Sequence, residues 1–134
     1  MYRLLPALLI FLLTACGSTN PNAKPQEQNN GRSIDNPTVD GRNLTDYLRT
    51  LTGVVVSGDG PNATIRIRGI QSVNLSTEPL FVIDGVPVSG GLASAYSAVN
   101  VADIARIEVL AKASETSIYG VRGANGVIVI QTKR

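Results

Sequence analysis

The run Gly126-Val127-Ile128-Val129-Ile130-Gln131-Thr132 carries apolar side chains on both faces of an extended chain. Successive residues of a strand point to opposite faces, so this run must be covered above and below, as a central strand is. That demand sets the class of fold, because neighbouring strands and two covering layers have to come from the rest of the chain. Thr64-Ile65-Arg66-Ile67-Arg68 alternates, with Ile65 and Ile67 on one face and both arginines on the other, the pattern of a half-buried strand. Leu80-Phe81-Val82-Ile83 and Val86-Pro87-Val88 flank Asp84-Gly85, a tight-turn pair between two β-type runs. Pro87 cannot donate to a ladder, so the return strand is short or lies at an edge. Val54-Val55-Val56 predicts a further short strand, and Arg106-Ile107-Glu108-Val109-Leu110 one with Ile107 and Val109 inward.

Two segments have helical period. Leu44, Tyr47, Leu48 and Leu51 fall at i, i+3, i+4 and i+7 and share one face. Asn43 is a good N-cap for them, Asp46 suits the first turn, and Gly53 can take the left-handed position after the end. Residues 113–119 predict a second short helix stopped by Gly120, and residues 101–104 a single helical turn. The class is α+β: a four- to five-stranded mixed sheet with two short helices, built from residues 37–134.

The residues before this domain divide in two. Residues 1–15 read as a signal peptide: one positive charge at Arg3, then the apolar run from Leu4 to Leu13, broken by Pro6. A membrane-spanning helix needs about 20 apolar residues, so this run is too short to be one. It ends in Leu13-Thr14-Ala15-Cys16, which resembles the bacterial lipobox, a Leu-x-small-Cys pattern. The resemblance implies that Cys16 is acylated and becomes the new N-terminus, holding the protein to lipid. Each buried methylene contributes about 0.8 kcal/mol, and stable anchoring takes two signals or chains. Gly17, where an Asp would imply inner-membrane retention, leans the assignment to the outer membrane, on its periplasmic side. Residues 16–36 are rich in Asn, Gln, Ser, Gly and Pro and predict a flexible tether of about 25 Å end to end.

Composition removes most chemistry. The chain has no His and a single Cys, which excludes His triads, His metal sites, disulfides and CxxC redox pairs. No catalytic residue, metal site or cofactor is expected. The formal charge of +2 and 4% aromatic content leave no basic, stacking surface for nucleic acid. Asp103, Glu108 and Glu115 sit on separate elements and do not read as an acid–base pair. Gly120, Gly123 and Gly126 follow a helix instead of preceding one, and no Lys-Ser/Thr pair follows them, so a phosphate loop is rejected and they read as structural turns. Asn-x-Ser/Thr triplets at Asn43, Asn62 and Asn74 are set aside as chance in a lipobox-bearing chain.

Four stretches carry a family resemblance. They are Ile67-Arg68-Gly69, the run from Glu78 to Val88, the run from Asp103 to Leu110, and the run from Ser117 to Ile128. Together they are similar, in order and spacing, to the plug domain of TonB-dependent outer-membrane transporters, particularly the glycan-importing subgroup of Bacteroidota. In that family the plug precedes a 22-stranded barrel, which residues 37–134 cannot contain, since each membrane strand needs about 9–11 residues. The expectation is therefore a stand-alone plug-like module. The family also has a basic residue directly after its Glu-Val-Leu, whereas this chain has Leu110-Ala111-Lys112-Ala113. In a strand, that shift of one position turns the charge to the other face.

The resemblance implies a non-catalytic accessory or binding protein at the outer membrane, linked to nutrient or glycan uptake through other chains. Candidate partners in trans are a TonB-dependent transporter, its lipoprotein partner or the TonB protein, besides the lipid held through Cys16. Arg66 and Arg68 are the candidate partner-binding residues, by analogy with plug arginines that meet barrel carboxylates. Asp84 and Gly85 read as turn residues. Two alternatives stand beside this reading: a decayed remnant of a duplicated plug, and a periplasmic small-ligand carrier or enzyme. The sequence does not name a ligand.

Overall fold

A computed structural model describes residues 31–38, 40–70 and 77–134. The elements in chain order are β1 (Ser33–Asp35), α1 (Leu44–Thr50), β2 (Val54–Ser57), β3 (Thr64–Ile67), β4 (Leu80–Ile83) and β5 (Val86–Val88). They continue with α2 (Gly91–Ala98), β6 (Ile104–Leu110), α3 (Ala113–Thr116) and β7 (Val127–Thr132). A five-stranded sheet runs in the order β1-β6-β7-β4-β5, and β2 and β3 form a separate antiparallel pair. The β7–β4 pairing is parallel and the others are antiparallel, so the sheet is mixed. The fold is α+β, as the periodicities predict.

The both-faces-apolar run takes the centre. On one side of β7, Ile128 and Ile130 join Phe81, Ile107 and Val109 beneath α1, α2 and the β2–β3 hairpin. On the other side, Val127 packs with Leu80 and Val82, covered by Tyr119 from the segment after α3. Val82, Val127, Ile128 and Ile130 have no exposed surface. Burying a side chain of this size contributes about 1.5–3 kcal/mol, so this strand anchors both layers.

The local signals act as read. Asn43 caps α1, its side chain accepting from Asp46 N at 3.2 Å while the Asp46 carboxylate accepts from Asn43 N at 2.9 Å. Leu44, Tyr47, Leu48 and Leu51 are all buried. Asp84 and Gly85 both take left-handed backbone, φ 48° and 85°, and turn β4 directly into the edge strand β5. Two positive φ values in a two-residue loop match the twist of the strands they join.

Three expectations change. Ser33–Asp35, placed by composition within the tether of residues 16–36, is a strand paired with β6. Its register comes from backbone bonding and from Asp35 opposite Arg106, at 3.3 Å, and Ile34 is its one apolar residue. A third helix, α2, appears where two short ones were expected; its N-terminus is capped by Glu78, whose carboxylate accepts from Leu92 N at 2.9 Å. The helix expected over residues 113–119 is α for only one turn and then tightens to 3-10 geometry, interrupted at Gly120 (φ 57°, ψ −142°). The signal peptide, Cys16, and the part of the tether before residue 31 lie outside the described residues.

Candidate functional site

The β2–β3 hairpin positions both candidate arginines. Ile65 and Ile67 point into the core and are 0% and 5% exposed, so the alternation forces Arg66 to the opposite face. Arg68 follows the last paired residue, its N–H donating to Gly53 O at 2.7 Å, which continues the ladder and keeps it on the same side as Arg66. Val55 lies directly across from Arg66 and is 38% exposed. Among the described residues neither arginine has a hydrogen-bond or ion-pair partner. Both line a notch of about 250 Å³ with Val55, Ile70, Thr77 and Asn125. Two guanidinium groups beside an aliphatic wall can take carboxylates in forked, charge-assisted pairs.

Many of the other charged residues are spent locally. Arg49 bridges Asp46 at 3.0 Å and Asp59 at 2.5 Å, tying α1 to the loop after β2. The hydrogen bond to Asp59, then its charge and that of Asp46, hold the Arg49 guanidinium above its ordinary pKa against the opposing effect of desolvation. Lys112, displaced one position from the family pattern, lies just beyond β6 and pairs with Glu115 at 3.4 Å. Partial burial opposes ionisation of Glu115. The N–H groups of Lys112 and Ala111 together with the Lys112 charge outweigh it, leaving the carboxyl below its usual range. Glu108 lies 3.7 Å from Arg106, and Asp103 engages Lys133 N only through its backbone oxygen, at 2.7 Å. No group of three potential metal ligands occurs among the described residues.

The turn residues have structural surroundings. The Asp84 carboxylate accepts from Thr132 Oγ1 at 2.6 Å and from Thr132 N at 2.8 Å, and these bonds, the hydroxyl's first, depress its pKa. It thus closes the end of β7 where the parallel partner strand stops. Gly123 is buried, and a Cβ there would meet Thr116 O at 2.8 Å. Gly126 (φ 87°) is overlain by Ile67 and Ile70, so the hairpin closes directly onto the start of β7. Gly120 is exposed with open space around it.

Sequence reasoning missed the Glu78 cap and the Asp84–Thr132 closure. The first joins residues 14 apart and the second residues 48 apart, and no local pattern announces either. It also missed a second cleft, between the start of α1 and the end of α2, lined by Arg42 and Tyr96. No helix among the described residues is long and apolar enough to cross a membrane.

Comparison with known proteins agrees with this architecture. A family model described as TonB-dependent Receptor Plug Domain matches residues 28–127, a span that includes β1. The chain is 49% identical over 87 residues to the TonB-dependent receptor SusC of Bacteroides thetaiotaomicron, covering 60% of this chain and 9% of that one. Among solved structures it is similar to the RagAB peptide importer in its closed-closed state, with a TM-score of 0.62 and 32% identity. That match covers 75% of this chain and 12% of the importer chain. The siderophore receptor PirA from Acinetobacter baumannii has the same fold, with a TM-score of 0.59 at 24% identity over 76% of this chain and 17% of its own. The chain spans only 7–10% of the length of the curated relatives, which are receptors by name and not enzymes. On the family-model match and the shared fold, the chain belongs to the TonB-dependent receptor plug family.

Proposed function

We propose that this protein is a lipid-anchored, non-catalytic plug module of the outer membrane, facing the periplasm, that docks another envelope protein in support of TonB-dependent nutrient uptake. The observation that carries the reading is the pair Arg66 and Arg68: exposed on one face, without a partner among the described residues, beside the aliphatic Val55 and Ile70. An unpaired guanidinium pair next to apolar surface suits carboxylates presented by a partner. The partner is a TonB-dependent transporter, its lipoprotein companion or TonB itself. Acylation of Cys16 supplies the anchor, and confinement of both molecules to one membrane raises their effective concentration, so a weak contact suffices. Lys112 is engaged by Glu115, so the docking relies on the two arginines alone.

The test is a crosslinking pull-down from intact membranes, comparing the wild type with Arg66→Ala/Arg68→Ala. The reading expects specific envelope partners to be lost from the double variant while the protein stays folded and membrane-bound. Recovery of the same partners in equal yield would remove the arginines from the account.

A further inference from the structure

The cleft between the start of α1 and the end of α2 has a volume of about 500 Å³ and, among the described residues, shares no lining residue with the Arg66–Arg68 notch. That size falls within the roughly 300–1,000 Å³ typical of small-ligand sites. Two hydrogen-bonding poles of opposite kind line it. On one wall, α2 ends without a closing device: Val99 at its C-cap is extended, with φ −137°, and no basic residue stands in the last turn. Val99 N satisfies the carbonyl of Ala95, at 3.2 Å. The carbonyls of Tyr96, Ser97 and Ala98 accept nothing among the described residues. Such terminal carbonyls carry the negative end of the helix dipole and call for N–H donors. On the other wall stands Arg42, exposed and without a hydrogen-bond or ion-pair partner among the described residues, offering up to five N–H donors and calling for an anion.

Between these two poles the cleft is apolar. Leu44, Val99 and Val101 contribute aliphatic surface and Tyr96 its half-buried ring, whose hydroxyl has no partner among the described residues. The side-chain oxygen of Asn100 already accepts from Ala102 N at 3.0 Å. A ligand that meets every demand carries an anion at one end, N–H donors next to it, and carbon-rich surface between. A phosphate or a lone carboxylate satisfies Arg42 and leaves the helix carbonyls unmet. An uncharged sugar offers hydroxyls to both poles but no anion to pair with the guanidinium.

We propose that this cleft is a binding site for a peptide terminus, with the free C-terminal carboxylate on Arg42, the adjacent backbone N–H groups on the carbonyls of Tyr96–Ala98, and the last side chain against Tyr96. The site is independent of the partner docking at Arg66 and Arg68, and either can stand without the other. The test is a titration of the full-length protein with two tripeptides, trialanine with a free carboxylate and its C-terminally amidated form, followed by amide chemical shifts. The free-acid peptide is expected to shift the amides of Arg42, Ser97, Ala98 and Val101, and amidation to weaken binding about tenfold, the scale of one charge-assisted pair. Arg42→Gln should abolish that preference without altering the thermal transition, because the side chain is exposed and has no hydrogen-bond or ion-pair partner among the described residues. Equal binding of the two peptides, shifts confined to other surfaces, or no shifts up to about 10 mM peptide would each overturn the assignment.

Discussion

Replacing Gly126 by Ala tests whether the β2–β3 hairpin and the five-stranded sheet share one core. A Cβ at this position would lie 2.6 Å from Ile67 Cδ1, 2.9 Å from Ile70 Cδ1 and 3.2 Å from the Leu110 carbonyl oxygen. Two costs follow. The left-handed backbone, with φ 87°, costs an L-residue roughly 1–2 kcal/mol. Crowding a packed contact costs about 1–3 kcal/mol more. Together they make roughly 2–5 kcal/mol, a large part of the 5–15 kcal/mol that holds an ordinary domain together. Gly41 is the internal control, with φ 75° and nothing within 4 Å of its would-be Cβ, so Gly41→Ala carries the backbone cost alone.

The assay is urea denaturation followed by circular dichroism, comparing midpoints at constant slope. Ile67→Val removes the crowding Cδ1 atom and should cost about 0.5–1.5 kcal/mol by itself. In the Gly126→Ala background it should cost less or restore stability, a coupling that a double-mutant cycle resolves. If Gly126→Ala is no worse than Gly41→Ala, and Ile67→Val costs the same in both backgrounds, the hairpin does not close on the sheet as described.

Four further outcomes are expected. Ile128→Asp places an unpaired charge at a position with no exposed surface and should cost on the order of 4 kcal/mol, sharply lowering the midpoint of the thermal transition; a chain starting at residue 31 should in turn melt higher than one starting at residue 37, which lacks β1. Asp84 and Glu115 have folded-state pKa values below their unfolded ones, so the stability they contribute is present above the unfolded values near 4 and is lost as pH falls through the folded ones; Asp84→Asn should flatten this acid slope in pH-dependent melting, and an unchanged slope would take the Thr132 bonds out of the explanation. Cys16→Ser should move the protein from the membrane to the soluble periplasmic fraction, and mass spectrometry finding an unmodified Cys16 at the mature N-terminus would remove the anchor.

Most strands were legible because their side chains carry the pattern that burial imposes. Ile65 and Ile67 alternate with arginines since one hairpin face meets the core, and 127–130 is apolar throughout since β7 lies between two layers. Asp84-Gly85 announced its turn through the backbone conformations it tolerates. The elements that escaped are stabilised from a distance. Helix α2 reads Gly-Leu-Ala-Ser-Ala-Tyr-Ser-Ala and buries only Leu92 and Ala95; its cap comes from Glu78 across a stretch with no helical signal. Strand β1 has one apolar residue in a polar run, and its partner β6 dictates its extension. Of the candidate site, the exposure of Arg66 and Arg68 followed from alternation. The notch beside them did not, because Thr77 and Asn125 arrive there only through the tertiary fold.

The central claim, docking through the arginine face, is tested most directly by a photocrosslinking amino acid placed at Val55, which borders Arg66, and in a second protein at Val86, which is 66% exposed on the edge strand β5. In living cells the account predicts an adduct with another envelope protein from position 55, none of the same mass from position 86, and loss of the first on Arg66→Ala/Arg68→Ala. The same adduct from both positions, or an adduct at position 55 that survives removal of both arginines, would contradict it.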